Sequence, residues 1–342
     1  MKKRRLPNRW IFLFIIILSV LAASAFPPIR PHVQLPAERL THDPLFTLPV
    51  IGDFYFTNTM LAVLLADIIL LLSAWFIRKQ IKSGKSVLSG IPGVFGALLE
   101  MLFGMTETTT PKWAKKIFPY FATIMLIVLI VNWMELIPGV DSIGYLEHSE
   151  HGFPTQEIAP GIVTIVKADN EHTEPEEHTA DKFMLVPYVR VASTDLNFTV
   201  GLALVSVFMI QVMGIRALGG GYLKKFINID AIRAARLTIK KPGFGNPLEL
   251  IMPFVNFAVG LLEIVAEISK VLSFSFRLFG NIFAGSVLLF VIGSLVPVFA
   301  QSFFLVLELG IGLIQAFVFG ILTMVFMSMA TQAHGEHEEA HV

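Results

Sequence analysis

Long apolar stretches separated by short charged segments are the feature that most constrains the fold of this chain. Three of them, about residues 54–77, 118–138 and 196–215, are long enough at about 1.5 Å per residue to cross the ~30 Å apolar core of a bilayer. A fourth runs almost unbroken from Pro247 to Ala330, with Pro297 as the expected break. Hydrophobic residues make up 54% of the 342 residues and charged residues only 15%, against about 25% charged in a soluble domain. The sequence therefore predicts an all-α polytopic membrane protein with about five transmembrane helices, the last two forming a long tilted hairpin.

Charges between the apolar stretches are segregated by sign. Basic residues cluster at 78–85 and 216–241, and alternating crossings place both clusters on the cytoplasmic side, where Lys and Arg accumulate. The stretch from Gly139 to Lys182 is acidic instead and is predicted to be an external solvated loop. Residues 86–110 combine turn residues with an amphipathic stretch, which is typical of a helix lying at the inner membrane surface.

The N-terminus has the parts of a secretory signal peptide. A basic start is followed by an apolar run from Trp10 to Ala22 and by Ala23-Ser24-Ala25, as in cleaved signals; an uncleaved anchor helix is the alternative. The predicted organisation is 1–25 as signal peptide or anchor, 26–53 as an external segment, 54–138 as two crossings with the inner-surface helix, 139–187 as an external acidic insertion, 188–332 as the remaining helices with the hairpin, and 333–342 as a polar cytoplasmic tail.

Several classes of function are excluded. The 26 basic and 26 acidic residues cancel, which argues against a nucleic-acid binder built on a basic field. The chain has no cysteine and none of the common phosphate-loop, nucleophile-elbow or His-Glu-x-x-His motifs. We therefore predict no catalytic residue, cofactor or metal site. Most histidines cluster beside acids outside the apolar stretches, where solvated loop is a better interpretation than metal binding: His148, His151, His172, His178, His334, His337 and His341.

A stripe of polar residues follows one face of the helix after Pro247. At about 100° per residue its members fall within an arc of roughly 120°: Glu263, Glu267, Lys270, Ser273, Arg277 and Asn281. Internal salt bridges of Glu263 or Glu267 with Lys270 are the structural alternative to a functional stripe. Arg277 has no acid three or four residues away, so its partner is expected from another helix, another chain or water.

Other polar residues lie within or at the start of the remaining apolar helices: Glu308 and Gln315, Asn132 and Glu135, Asp195 and Asn197. The members of each of the first two pairs share a helix face. For Asp195 an N-cap is an equally good interpretation. Ionisable groups in membrane helices are costly and mark functional sites, so these residues are the candidates. Asp67 is alone in the first crossing and has no assigned role.

The string Ser-Phe-Ser-Phe-Arg-Leu-Phe-Gly-Asn-Ile-Phe-Ala-Gly at 273–285 resembles subunit a of the F-type ATP synthase membrane sector. Similar matches are Leu-Ile-Gln-Ala-Phe-Val-Phe at 313–319 and Asn-Trp-Met-Glu-Leu-Ile-Pro at 132–138. The resemblance covers about residues 50–138 and 185–332 and leaves out the N-terminal start and the acidic insertion.

The resemblance implies a non-catalytic stator subunit of a bacterial inner-membrane proton channel, with its C-terminus in the cytoplasm. Two half-channels would meet a ring of c subunits, with Arg277 facing the ring carboxylates. It also implies contacts with b-type peripheral-stalk subunits and lipid, only indirect contact with the F1 sector, and none with nucleic acid. The implied proton-translocating residues are Arg277, Glu308, Gln315, Asn281, Glu263 and Ser273, and the implied outer half-channel residues are Asn132, Glu135, Asp195 and Asn197.

One departure from the family pattern suggests a specific hypothesis. Many relatives have an acid where this chain has Ser286, and a histidine where it has Glu308. We therefore expect Glu308 to relay protons and Ser286 to be passive. A self-contained secondary transporter, which would show internal repeats, and a scaffold with a dead channel are the alternatives. The sequence does not distinguish a proton channel from a sodium channel. The insertion is interpreted either as a proton-collecting surface or as a variable loop.

Overall fold

The structure is a computed structural model. It describes residues 10, 13–14, 16–18, 20–21, 37–41, 43–49, 52–83, 90–137, 140–141, 143–159, 162–165, 182–226, 247–295 and 299–332. The predicted cleavage region at 23–25, the central part of the insertion at 166–181 and the tail at 333–342 lie outside the described residues. So do residues 227–246, which hold most of the second basic cluster.

The main helices are, in chain order, α1 (Asn58–Lys82), α2 (Ile91–Thr109), α3 (Ala114–Met134), α4 (Leu196–Leu218), α5 (Pro247–Leu295) and α6 (Phe299–Ala330). Short 3-10 helices at Ala192–Thr194 and Gly219–Lys225 precede and follow α4. Among the described residues, five helical segments are long and apolar enough to cross a membrane: Asn58–Lys82, Ala114–Met134, Leu196–Leu223, Phe257–Gly293 and Ala300–Ala330. The predicted polytopic helical fold is confirmed, with α5 described up to Leu295 and α6 from Phe299.

Helix α2 corresponds to the helix predicted at 86–110. It begins after Gly90, whose φ of 69° lies in the left-handed region that favours glycine. Pro92 follows in the first turn, where its missing N–H has no helical partner to lose. With 19 residues, α2 is shorter than the crossing helices, and it is not among the five apolar segments.

Among the described residues, three two-stranded antiparallel sheets lie outside the helices, and the sequence analysis predicted none of them. They pair β1 (Phe46–Leu48) with β2 (Gly52–Phe54), β3 (Gly144–Phe153) with β6 (Phe183–Pro187), and β4 (Thr155–Ala159) with β5 (Ile162–Ile165). These parts of the predicted external loop therefore contain strands, and its external, solvated position stays a prediction. The apolar strand β6 is the reason that strands form here: Val186 is buried, and the Phe183 ring lies 4.2 Å from the ring of His148.

The chain forms two compact units, which we describe separately. Unit 1 comprises the described parts of Met1–Ile68, Leu129–Asp195 and Phe279–Gln315. Its apolar core includes Ala62, Val131 and Ile282. Eight of its described polar side chains are also buried: Asn58, Thr59, Asn132, Ser193, Thr194, Asp195, Glu308 and Gln315. A membrane protein with so many buried polar groups in one unit must pair them internally.

Unit 2 comprises the described parts of Ile69–Val128, Leu196–Leu278 and Ala316–Val342. Phe274 of α5 and Phe319 of α6 pack at 5.1 Å between ring centroids. At Gly320 an added Cβ would lie 2.8 Å from the Cβ of Met125, so this glycine allows α6 to approach α3 closely, as small residues do between membrane helices. Thr110 adds a polar link, because its hydroxyl donates to Ser328 Oγ at 2.5 Å.

Candidate functional site

Asn132 and its partners form the central polar contact of unit 1. Asn132 lies near the end of α3 and is only 2% exposed. Its Oδ1 accepts a hydrogen bond from Ser193 Oγ at 2.6 Å, and its Nδ2 donates to the Gly312 carbonyl at 3.2 Å. Gly312 has no side chain to hold the helices apart: an added Cβ would lie 3.2 Å from Asn132 Cβ. Asn132 therefore joins α3 both to α6 and to the turn before α4.

Asp195 is the second predicted site residue in this unit. It is buried immediately before α4, in extended backbone, which is the usual conformation of an N-cap. Its Oδ2 accepts a hydrogen bond from Thr59 Oγ1 at 3.0 Å. Capping and channel roles are both compatible with this position. Asn197 lies two residues later in α4 and is exposed.

Thr59 was missed by the sequence analysis. The only local signal was a pair of polar residues, Asn58 and Thr59, at the start of α1, a pattern that is usual at helix N-termini. Nothing in the sequence connects Thr59 to Asp195, which lies 136 residues away.

Glu135 and Ser286 link the end of α3 to α5. The Ser286 hydroxyl donates to Glu135 Oε1 and also lies 3.1 Å from the carbonyl of Ile282. The other carboxylate oxygen of Glu135 is buried without a hydrogen-bond partner among the described residues. Ser286, which we expected to be passive, thus contacts a predicted channel residue, although its role in translocation is not tested by this contact.

Glu308 lies against the same part of α5. It is 5% exposed, and its carboxylate occupies the space that a side chain at position 285 would fill, since an added Cβ on Gly285 would lie 2.5 Å from Glu308 Cδ. Its Oε1 is buried and has no hydrogen-bond partner among the described side chains and backbone groups. Glu308 lies against α5 at Gly285, and Glu135 contacts α5 at Ser286. The two carboxylates therefore lie against adjacent residues of α5.

Asn281 and Gln315 form the fourth polar contact of unit 1. Asn281 Nδ2 donates to Gln315 Oε1 at 2.8 Å, which joins α5 to α6. Gln315 is 4% exposed, and its Nε2 has no partner within the described ranges. The structure therefore gathers six of the predicted residues in unit 1: Asn132, Glu135, Asp195, Asn281, Glu308 and Gln315.

Arg277 lies in unit 2 and is exposed. Its Nη2 donates to Ser273 Oγ, one turn earlier, at 3.3 Å. No carboxylate of the described residues lies within 4.0 Å of its guanidinium. No described acid on α5 pairs with Arg277, and its partner stays a prediction.

The rest of the polar stripe is an ion-pair cluster. Lys225 Nζ lies 2.6 Å from Glu263 Oε1 and 3.6 Å from Glu267 Oε1, and Lys270 Nζ lies 2.7 Å from Glu267 Oε1. The salt-bridge interpretation is therefore correct for Glu267 and Lys270. Lys225, from the 3-10 helix after α4, is an additional partner that the sequence analysis did not assign.

Two further expectations concern isolated groups. Asp67 is exposed on α1, and the structure gives it no role. Across the described ranges, no group of three or more His, Asp or Glu side chains is placed to hold a metal ion.

Comparison with known families identifies the family of the chain. The model of the family described as ATP synthase A chain matches residues 59–328. The chain belongs to this family. Together with the five apolar helices, membership makes the protein an integral membrane subunit of the ATP synthase membrane sector. All ten predicted site residues lie within the matched range.

Individual relatives match over most of their length. The ATP synthase subunit a of Shewanella sp. (strain W3-18-1) is 32% identical over 262 residues, which are 74% of this chain and 77% of the relative. The ATP synthase subunit a of Tolumonas auensis is 27% identical over 294 residues, 83% of this chain and 92% of the relative. That of Buchnera aphidicola subsp. Acyrthosiphon pisum is 26% identical over 274 residues, 78% and 81% respectively.

Proposed function

We propose that this chain is the stator subunit of the ATP synthase proton channel. It provides two aqueous half-channels that open on opposite sides of a bacterial inner membrane. Protons pass from one half-channel to a ring of c subunits and leave through the other, which turns the ring and drives ATP synthesis. Each charge that crosses the membrane potential releases ~2.3 kcal/mol per 100 mV. The subunit itself makes and breaks no covalent bond.

The observation that carries the proposal is the unpaired charge of Arg277. Every other charge of the polar stripe is ion-paired within unit 2. The guanidinium of Arg277, in contrast, has the hydroxyl of Ser273 as its one hydrogen-bond partner among the described residues. An arginine in a membrane helix costs about 3 kcal/mol or more without compensation, so its counter-charge belongs to another subunit. A c-ring carboxylate brought beside it would be held ionised, and one that has moved away into lipid would be neutral.

The buried polar groups of unit 1 support the outer half-channel. Asn132 and Asp195 are held in place by hydrogen bonds from Ser193 and Thr59. Glu308 combines burial with an unpartnered oxygen, which suits a group that gains and loses a proton. In this proposal Glu308 relays protons, and Asn281 with Gln315 lines the path near the ring. Asn197 contributes at the start of α4, and Glu263 and Ser273 belong to the proton-translocating residues on the stripe of Arg277.

The proposed assembly follows from the same role. The c ring faces Arg277, b-type peripheral-stalk subunits hold the chain against the turning ring, and the F1 sector is reached only through them. The C-terminus and the basic clusters lie in the cytoplasm, in keeping with the positive-inside rule.

Substitution of the arginine tests the proposal. In inverted membrane vesicles containing the whole complex, Arg277→Ala should abolish ATP-driven acidification and raise the passive proton leak, because the half-channels are no longer separated. Arg216→Ala is the matched control: Arg216 is an exposed arginine in the last turn of α4, and its removal should leave acidification unchanged. Acidification that persists in Arg277→Ala at the level of Arg216→Ala would refute the stator role.

A further inference from the structure

Glu38 is placed beside the first turn of α1 by a backbone pairing that precedes the membrane helices. The N–H of Leu40 donates to the Phe56 carbonyl at 2.8 Å, and the N–H of Asn58 donates to the Glu38 carbonyl at 3.1 Å. Arg39 and Thr57 form a β-bridge between these two contacts. The segment around Glu38 is therefore fixed against the start of α1, at the end that also carries Thr59.

The side chain of Glu38 is bound by a fully buried amide. Asn58 is 0% exposed; its Nδ2 donates to Glu38 Oε2 at 2.9 Å and lies 3.3 Å from the carbonyl of Pro187. The Glu38 N–H in turn donates to Asn58 Oδ1 at 3.2 Å. Asn58 thus holds the carboxylate on one side and the end of β6 on the other.

Burial and the groups around Glu38 have opposing effects on the pKa of its carboxyl. Burial raises the pKa of its carboxyl above the ordinary value, while Arg190 and the hydrogen bond from Asn58 lower it. Glu147 and Asp141 raise it further. A carboxyl with a raised pKa keeps its proton to higher pH than an ordinary surface acid.

The residue after Asn58 leads directly to the proposed channel, because Thr59 donates to the buried carboxylate of Asp195. Two adjacent residues of α1 therefore contact one carboxylate outside the membrane helices and one at the start of α4. Glu38 lies before the family-matched range, which begins at residue 59, so the match assigns it no function.

We propose that Glu38, held by Asn58 and balanced by Arg190, is a proton-uptake site at the mouth of the outer half-channel. Its carboxylate takes a proton from the outer solution and releases it toward Asp195, after which it is again ionised and can be reloaded. This inference rests on the proposed function, since it presupposes that Asp195 lies on the proton path.

The test is ATP synthesis by the whole complex in proteoliposomes, driven by a fixed membrane potential, with the pH on the outer half-channel side varied. In Glu38→Gln the initial rate should fall more steeply as that pH rises, approaching about tenfold per pH unit, because uptake then follows the free proton concentration alone. Glu38→Asp keeps the carboxyl group and should restore a shallower dependence. Glu147→Gln is the matched control, since it removes a neighbouring exposed carboxylate that is not bound to Asn58. It should keep the shallow pH dependence of the unsubstituted complex, shifted only slightly to lower pH because Glu147 contributes to the raised pKa of Glu38.

Several results would overturn the inference. They are an unchanged pH dependence in Glu38→Gln, equal changes in Glu38→Gln and Glu147→Gln, or a Glu38→Asp complex that behaves as Glu38→Gln. Arg277→Ala assayed in the same preparation separates the two proposals. If Arg277→Ala still synthesises ATP, the stator role fails; if it is inactive while Glu38→Gln is unaffected, only the uptake site fails.

Discussion

Gly285→Ala tests the placement of Glu308 by a single methyl group. The new Cβ would lie 2.5 Å from Glu308 Cδ, whereas carbon atoms in contact prefer about 3.5–4.0 Å. The carboxylate must therefore move by about 1 Å. Overpacking of this kind costs about 1–3 kcal/mol, and the helix propensity of alanine over glycine offsets about 1 kcal/mol of it. The expected net loss of stability is about 0–2 kcal/mol, small enough for the complex to assemble.

The effect on proton transfer should be larger than the effect on stability. A misplacement of about 1 Å in a group that transfers protons can reduce the rate by about 10²-fold. ATP-driven acidification of inverted vesicles should therefore fall by about one to two orders of magnitude in Gly285→Ala. Glu308→Gln, which keeps the shape of the side chain and removes its charge, should lower acidification as well.

Gly310→Ala is the matched control, because it makes the same substitution in the helix that carries Glu308. Gly310 lies two residues from Glu308 on α6, and an added Cβ there meets nothing within 4 Å. This variant should be more stable by up to about 1 kcal/mol and should pump normally. If Gly285→Ala pumps as well as Gly310→Ala, or if Glu308→Gln pumps normally, Glu308 is not the relay.

Two further predictions concern stability. Asn132→Leu removes both hydrogen bonds of the side chain and leaves the Ser193 hydroxyl and the Gly312 carbonyl buried without this partner, at a cost of about 1–3 kcal/mol each. Thermal unfolding of the complex in detergent should therefore show a clear loss of stability. An unchanged melting temperature would contradict these contacts. Burial raises the pKa of Asp141 from 3.8 to about 6, against the influence of Arg190. The folded state therefore binds the proton more tightly than the unfolded state, so that stability falls by up to ~3 kcal/mol as pH rises through this range. Asp141→Asn should flatten the pH dependence of unfolding between about pH 4 and 6, and an unaltered slope would contradict the raised pKa of Asp141.

The sequence was sufficient for features that depend on local periodicity. Hydropathy located the crossing helices and the break between α5 and α6. The spacing of residues along α5 indicated that no acid lies one helical turn before or after Arg277. Contacts between distant parts of the chain could not be predicted in this way. Thr59 contacts Asp195 across 136 residues of sequence, and Asn132 contacts Gly312 across 180. No periodic pattern in the sequence indicates contacts between residues so far apart in the chain.

The partner of the stripe acids shows the same limit. A cluster of lysines was evident after α4, but only the 3-10 helix at Gly219–Lys225 determines that Lys225 is the one that reaches Glu263. The β-strands of the insertion were missed for a different reason. A two-stranded sheet is marginal by itself, so its formation depends on what it packs against, and the pattern of its own residues is a weak signal.

Buried side chains without hydrogen-bond partners distinguish the residues of the proposed proton path from those that hold them in place. Among the described residues, five buried side-chain atoms have no hydrogen-bond partner, and three of them belong to Glu135, Glu308 and Gln315. Each such atom costs about 1–3 kcal/mol, and a structural role would be served better by a paired or apolar side chain. Asn132, by contrast, is hydrogen-bonded through both ends of its amide, which suits a residue that holds others in place. The two unpaired carboxylates of unit 1, Glu135 and Glu308, are therefore the groups expected to exchange protons. A substitution there should change coupling more than stability, whereas one at Asn132 should change stability at least as much.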